Sequence, residues 1–326
     1  MKAWQVETTG GIEALTFGEV QPRAPGPGEV LVDVHACGLN FSDLLMTAGQ
    51  YQVRPPLPFV PGQEIAGRIA AVAPGSVRKV GERVAAKVLW GGFAQSAIAK
   101  EDMLIALPDA MPYAAGATLP VVWPTAWIAL FDRARLTAGE TVLVHAAAGG
   151  VGLAAVQFAR SAGATVIAGV GDEVKAQLAI AAGAAHAVVT RAADWPARVS
   201  DLTGGHGPDV VFDPVGGAIA EASLKAIARN GRLLVVGFAS GEIPRLAANR
   251  LLLKNASALG VYWSHEQDGP LVARSLVEIF KLWEAGKVRV EASRTYPFDM
   301  LRTALADLSA RRSAGKCVLE IKEEEP

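Results

Sequence analysis

Residues 142–169, VLVHAAAGGVGLAAVQFARSAGATVIAG, constrain this chain more than any other stretch. An apolar run ends in alanines, a glycine cluster follows, and a second apolar run begins one helix length later. Strand, glycine turn, helix and strand in that order make a βαβ unit, with its two strands parallel in a helix-covered sheet. Within it, Ala147-Ala148-Gly149-Gly150-Val151-Gly152 follows the pattern G-x-G-x-x-G with alanine in the first place. In that setting Gly149 lets the backbone approach a pyrophosphate, and Gly152 lets the helix pack close to the sheet. The helix start then directs N–H groups and a positive dipole end at the phosphates. A tight strand-to-helix turn that holds no ligand is the other reading of the same residues.

The rhythm of the chain changes near residue 120. Before it, GEVLVDVHACG, EIAGRIAAVAPG and VRKVGERVAA alternate or end in strand-like apolar runs, separated by proline-rich loops such as PRAPGPGE and VRPPLPFVPG. After it, TVLVHAA, TVIAGV, HAVV, DVVFDPV and GRLLVVGF alternate with helical patterns. These strands are near-continuous apolar runs, as expected where helices cover both faces of a parallel sheet. Two amphipathic helices, SLVEIFKLWEAGKV and DMLRTALADLSARRSAG, and a last strand, KCVLEI, complete the chain. The fold class is therefore α/β. A β-rich domain is expected over 1–120 and a doubly wound dinucleotide-binding domain over 121–260, with two helices and a strand over 261–326.

Charge and cysteine content narrow the function. With 31 basic and 32 acidic residues and a net charge of -1, the chain has no basic block suited to nucleic acid. No apolar stretch of ~18 residues suggests a membrane span, and MKAWQVETTG lacks the apolar core of a secretory signal. Two cysteines, Cys37 and Cys317, make neither a disulfide framework nor a four-cysteine zinc site, and a cytoplasmic location is expected.

The second strand ends at Val170-Gly171, and the residues after it bear on the cofactor. Asp172 lies ~20 residues beyond Gly152, the spacing of an acidic residue that grips the ribose of NAD. Lys175 and Arg191 are candidates for the 2′-phosphate of NADP. The reading favours NADPH, with NADH less expected.

Several stretches together resemble one family: ACGLNFSDLLMTAGQY, PFVPGQEIAG, GGFAQSAIA, HAAAGGVGLAAVQFA, DPVGG, GRLLVVGFASG and SAGKCVLEI. The chain is similar nearly end to end to the zinc-free, zeta-crystallin-like quinone oxidoreductases of the medium-chain dehydrogenase/reductase superfamily. The resemblance implies a GroES-like barrel followed by an inserted Rossmann domain, with residues 261–326 returning to the first domain. Zinc members of the superfamily carry a cysteine where this chain has Asn40, a histidine where it has Gln63, and a cysteine near Val121–Val122. None of these residues offers a thiolate or imidazole, so no zinc is expected. Without a Lewis acid the acceptor should already be electrophilic, as a quinone or other conjugated carbonyl is.

The same resemblance implies a set of site residues. Asn40 and Tyr51 would line the active cleft and donate to an acceptor oxygen, although Asn40 also reads as a turn-stabilising amide. Thr125 would lie near the nicotinamide ribose, with Ala147, Gly149, Gly150, Val151 and Gly152 at the pyrophosphate. Gly171, Lys175 and Arg191 would serve the adenosine end. Asp213, Val215, Phe238, Ala239, Ser240, Val261 and Trp263 would lie beside the nicotinamide half, and Arg312 and Gly315 would close the site. The expected activity is metal-free hydride transfer from NADPH to a quinone. The alternatives are an enoyl or 2-alkenal reductase and a non-catalytic dinucleotide-binding protein. A homodimer is expected, with ASALGVYWS a candidate edge strand.

Overall fold

The computed structural model describes residues 1–322. They form two compact units, Met1–Val121 joined by the chain from Val290 onward, and Val122–Arg289.

The first unit opens with the antiparallel pair β1 (Lys2–Val6) and β2 (Leu15–Glu19). The strands β3 (Glu29–Gly38), β4 (Glu64–Val72), β5 (Arg83–Lys87), β6 (Ser96–Lys100) and β7 (Leu104–Ala106) follow. Val30, Val32 and Val34 of β3 alternate inward and are fully buried, the period-2 pattern that the sequence carries. β3 pairs with β4, and it also pairs with β6 through Glu29–Asp33. Register shifts at Leu31/Val32 and Val34/Ala36 mark irregularities that bend the strand and let the sheet curl. Trp4, Leu15, Met46, Phe59 and Phe93 fill the interior.

The second unit contains β8 (Thr141–His145), β9 (Thr165–Val170), β10 (His186–Val189), β11 (Val210–Asp213), β12 (Arg232–Val235) and β13 (Ser257–Gly260). They form one parallel sheet in the order β10-β9-β8-β11-β12-β13. The chain winds outward from β8 to β10 and then returns to β11 beside β8. Ligands of open α/β sheets bind at the carboxyl ends of the strands where the order reverses in this way. Val142, Leu143, Val144, Val210, Val211 and Phe212 are fully buried, because helices cover the sheet on both sides.

The chain re-enters the first unit at Val290 rather than at 261. The reason is the helix His265–Glu284: its Arg274 lies over the Trp127 ring at 5.5 Å and bonds Asp132 at 3.1 Å. Residues 261–289 thus stay with the dinucleotide unit. The last strands, β14 (Arg294–Pro297) and β15 (Cys317–Glu320), extend the first sheet, giving the order β14-β15-β3-β4-β5-β7 with β6 on β3. β15 pairs with the end of β3, and Leu39 N–H donates to the Cys317 carbonyl at 2.9 Å. The end of β3 and the starts of β4 and β15 thus lie side by side. No helix among the described residues is long and apolar enough to cross a membrane.

Candidate active site

The glycine turn has the shape that a dinucleotide requires. Ala146 follows β8 with φ +46°, a left-handed conformation uncommon for a residue with a side chain. It reverses the chain so that its carbonyl sits under the helix Gly150–Ser161. A Cβ at Gly152 would lie 2.2 Å from that carbonyl oxygen and 2.8 Å from the Ala147 Cα, so the approach is open to glycine alone. The N-cap, Gly149, brings no side-chain acceptor to the first N–H groups of the helix. Those groups, from Gly150, Val151 and Gly152, are the donors that helix starts offer to phosphate. Ala147 is buried and donates its N–H to the Gly169 carbonyl.

At the end of β9, Gly171 lies beside Arg191, since a Cβ on Gly171 would lie 4.0 Å from the Arg191 Nε, and both Lys175 and Arg191 act on the Asp172 carboxylate. Asp172 stands at the start of the next helix. It caps the helix Glu173–Ala181, accepting from Lys175 N–H at 2.9 Å, and its other oxygen lies 3.5 Å from the Lys175 Nζ. The backbone bond from Lys175 holds its carboxyl below the usual range.

The two loops expected beside the nicotinamide are tied to each other. Ala239 N–H donates to the Pro214 carbonyl and Ser240 N–H to that of Val215. Phe238 is exposed, whereas Asp213 is buried and turns inward rather than toward a ligand. Its carboxylate accepts from Val215 N–H at 2.9 Å and from Gly216 N–H at 3.2 Å, while burial pushes its pKa up. It therefore shapes the turn instead of presenting a charge. Gly216, at φ +73°, allows that turn, because a Cβ there would meet the Phe238 ring at 2.9 Å. Trp263 Nε1 donates to Thr125 Oγ1 at 2.9 Å, so these two candidates form one unit, and Val261 is buried beside them. Trp123 and Trp127 are core residues: Trp123 packs edge-on against Phe158 at 5.3 Å, and Trp127 packs on Phe131.

In the first unit, Asn40 lies at the centre of a buried polar cluster. The Lys316 ammonium donates to the Asn40 Oδ1 at 2.7 Å and to the Leu39 carbonyl at 2.9 Å, and it pairs with the Glu64 Oε1. Asn40 Nδ2 donates to the same Glu64 oxygen at 2.8 Å, and Val121 N–H donates to Oε2 at 3.1 Å. Asn40 N–H donates to the Asp43 Oδ2 at 2.8 Å, at the start of the helix Phe41–Thr47. Glu64 and Asp43 are fully buried, and Lys316 is 6% exposed. Burial pushes the Glu64 carboxyl up and that of Asp43 up to about 7. Burial likewise raises the Cys37 thiol, which makes it unsuited to nucleophilic work.

Asn40 is thus less open than its sequence position implies. Its oxygen is held by Lys316 and one of its two amide hydrogens by Glu64, leaving one hydrogen for another acceptor. Gln63 accepts from the Ser42 hydroxyl. The donors at the superfamily's zinc positions are therefore two carboxamides and a valine backbone, which do not fit zinc. Among the described residues, no group of three or more His, Cys, Asp or Glu side chains is placed to hold a metal ion. Tyr51 is partly buried, its ring packed against the core of the first unit. Arg312 and Gly315 also fall in this unit, and Arg312 is committed to Asp307 through Nε at 3.0 Å.

Sequence reasoning misses Glu64 and Lys316. Both stand in stretches that carry the family resemblance, but no spacing rule joins Lys316 to a residue 276 positions away. Gly38 is a usable local signal: a Cβ there would lie 2.4 Å from Glu64 Oε1 and 2.5 Å from the Ala117 carbonyl.

Comparison with known proteins agrees with this geometry. Residues 26–109 match the alcohol dehydrogenase GroES-like domain, and residues 150–278 match the zinc-binding dehydrogenase family. Quinone oxidoreductase-like protein 2 of Mus musculus is 38% identical over 314 residues, covering 95% of this chain and 90% of its own. A quinone oxidoreductase of Pseudomonas aeruginosa is 36% identical over 98% of this chain and 99% of its own. The structure of Escherichia coli quinone oxidoreductase complexed with NADPH superposes with a TM-score of 0.90 at 30% identity, over 98% of this chain and all of that one. With its GroES-like unit, its Rossmann-type parallel sheet and these relatives, the chain is an oxidoreductase of the medium-chain dehydrogenase/reductase superfamily and belongs to its quinone oxidoreductase-like family.

Proposed function

We propose that this chain is an NADPH-dependent quinone oxidoreductase that reduces its acceptor without a metal ion. The observation that carries the reading is Asn40: a carboxamide with one uncommitted donor hydrogen stands where zinc relatives bear a thiolate. The relatives named for quinone reduction, one of them with NADPH bound, support the same reading.

The glycine turn fits the cofactor, because the carbonyl of Ala146 excludes a side chain at Gly152 and no side chain caps the helix start. Bound NADPH supplies a hydride at the nicotinamide C4. The N–H groups of Gly150, Val151 and Gly152 bind the pyrophosphate, and Lys175 and Arg191 bind the 2′-phosphate. Asp213 fixes the Pro214–Val215 loop, which in turn holds Ala239 and Ser240. Thr125 and Trp263 orient the nicotinamide half. The second Nδ2 hydrogen of Asn40 donates to the acceptor oxygen, with Tyr51 as a further donor. The acceptor takes up the hydride, and one proton from solvent completes the hydroquinone.

The test follows NADPH absorbance with 1,4-benzoquinone or 9,10-phenanthrenequinone, and then with crotonaldehyde-like enals. Quinone-dependent oxidation is expected. Oxidation by enals alone marks a double-bond reductase, and nucleotide binding without oxidation by any acceptor marks a binding protein.

A homodimer belongs to the same proposal. β13 is the outer strand of its sheet among the described residues, hydrogen-bonded to β12 on one side. Leu252 and Leu253, in the helix Ala248–Lys254, and Tyr262 are 72–75% exposed. An open strand edge next to exposed apolar side chains suits pairing with a second copy.

A further inference from the structure

The buried cluster around Asn40 joins an ammonium, a carboxylate and a carboxamide. Every proton of the Lys316 ammonium has an acceptor: the Leu39 carbonyl, the Asn40 Oδ1 and the Glu64 Oε1. Both Glu64 oxygens have donors, from Lys316, Asn40 and Val121. Buried ion pairs are often no more stabilising than apolar side chains of the same size, so their retention points to a role in specificity. The elements that supply these groups are far apart in sequence: the end of β3, the start of β4 and the residue before β15. Gly38, with no room for a Cβ beside the Glu64 carboxylate, is fitted to the same arrangement.

We propose that Lys316 and Glu64 are positioning residues that hold the Asn40 carboxamide in one of its two orientations, so that an acceptor oxygen meets an N–H rather than a carbonyl. This rests on the quinone reductase reading above. A carboxamide has two faces of nearly equal shape and opposite polarity. With the ammonium at 2.7 Å from its oxygen and the carboxylate at 2.8 Å from its nitrogen, a flip would put NH2 against ammonium and oxygen against carboxylate. Both contacts would be repulsive in a buried site, where charges are poorly screened. Asp43 holds the backbone of the same residue, so side chain and main chain of Asn40 are both fixed. Lys87, opposite Glu64 in the β4–β5 register, is the further cation on that face.

The test is a cycle of variants in the full-length enzyme, with steady-state NADPH oxidation by 1,4-benzoquinone as the readout. Lys316→Met is expected to lower kcat by about 10²-fold, comparable to the loss of one transition-state donor, with the KM for NADPH within about twofold of wild type. In an Asn40→Ala background the same change is expected to cost less than about twofold more, because the residue it positions is gone. The double variant Lys316→Met/Glu64→Gln removes both charges together, leaves no lone buried ion, and is expected to keep the wild-type Tm while losing kcat. Lys316→Arg, which keeps the charge, should recover part of it. Wild-type kcat in the charge-free double variant overturns the proposal, as does a full Lys316→Met loss on top of Asn40→Ala. Wild-type enzyme that oxidises NADPH with none of the acceptors refutes the quinone reading itself, an outcome distinct from active wild type with unaffected variants.

Discussion

Replacing Asp43 with asparagine should change how the stability of the protein responds to pH. Asp43 is fully buried, and its Oδ1 has no hydrogen-bond partner among the described residues. Burial raises its pKa from 3.8 to about 7, only partly opposed by the Asn40 N–H and by Lys316, whose charge is engaged by Glu64. The charged groups that act on it are Lys316 and Glu64, with the Cys37 thiol close by. A carboxyl that holds its proton more tightly when folded makes folding take up a proton between the two values. Stability is then greatest below about pH 4, falls as the pH rises toward 7, and levels off above it.

One pH unit in that window corresponds to about 1.4 kcal/mol. Between pH 5 and pH 8 the wild type therefore forfeits about 3 kcal/mol at this one residue, a sizeable part of an ordinary domain stability of about 5–15 kcal/mol. The asparagine side chain of the Asp43→Asn variant would be neutral throughout and would not follow that slope. Its carbonyl can still accept from Asn40 N–H, while its NH2 in place of the unpartnered oxygen costs about 1–3 kcal/mol at every pH. Urea unfolding of Asp43→Asn and wild type at pH 5, 6, 7 and 8 separates the two effects. The difference between the two proteins should move by about 3 kcal/mol in favour of the variant from pH 5 to pH 8. Stability curves that run parallel across that range would show that Asp43 keeps its charge in the folded state.

Other consequences can be tested at single positions. Gly152→Ala places a Cβ 2.2 Å from the Ala146 oxygen, so the turn must shift; NADPH affinity measured by fluorescence titration should fall about 10-fold or more, with Tm lowered. Lys175→Ala should weaken NADPH about 10- to 100-fold and leave NADH unchanged in calorimetric titration, since a single charge-assisted bond to phosphate is worth about 1.5–3 kcal/mol; equal losses for both would remove Lys175 from the 2′-phosphate. Gly38→Ala meets Glu64 and the Ala117 carbonyl at 2.4–2.5 Å, and should cost at least about 2 kcal/mol in urea unfolding by overpacking. Light scattering of Leu252→Glu/Leu253→Glu should show a monomer where the wild type is a dimer, if the β13 edge and these leucines form the subunit contact.

What the sequence discloses follows the range over which its signals act. The βαβ unit and the Gly149–Gly152 turn rest on spacings of a few residues, and the structure forms both. Asp172 carries two signals at once: its spacing suits a ribose, and it also begins a helix, where one carboxylate oxygen accepts from Lys175 N–H. Arg312 enters the expected set through resemblance; in the structure its guanidinium pairs with Asp307, five positions back.

Lys316 shows the opposite case, a buried charge that no local pattern announces. In the sequence it is one lysine before an apolar strand, and the general rule puts such charges in water. In the fold, the antiparallel pairing of β15 with the end of β3 brings its ammonium beneath Leu39 and Asn40, while the start of β4 delivers Glu64 to the other side. The cost of burying these charges is met only when all of their partners arrive, so each residue alone reads as a misfit and the set reads as a site. Asn40 draws notice in the sequence because it stands where zinc relatives carry a cysteine; the structure adds an ammonium bonded to its oxygen and a carboxylate bonded to its nitrogen, two partners that distinguish the ends of the carboxamide.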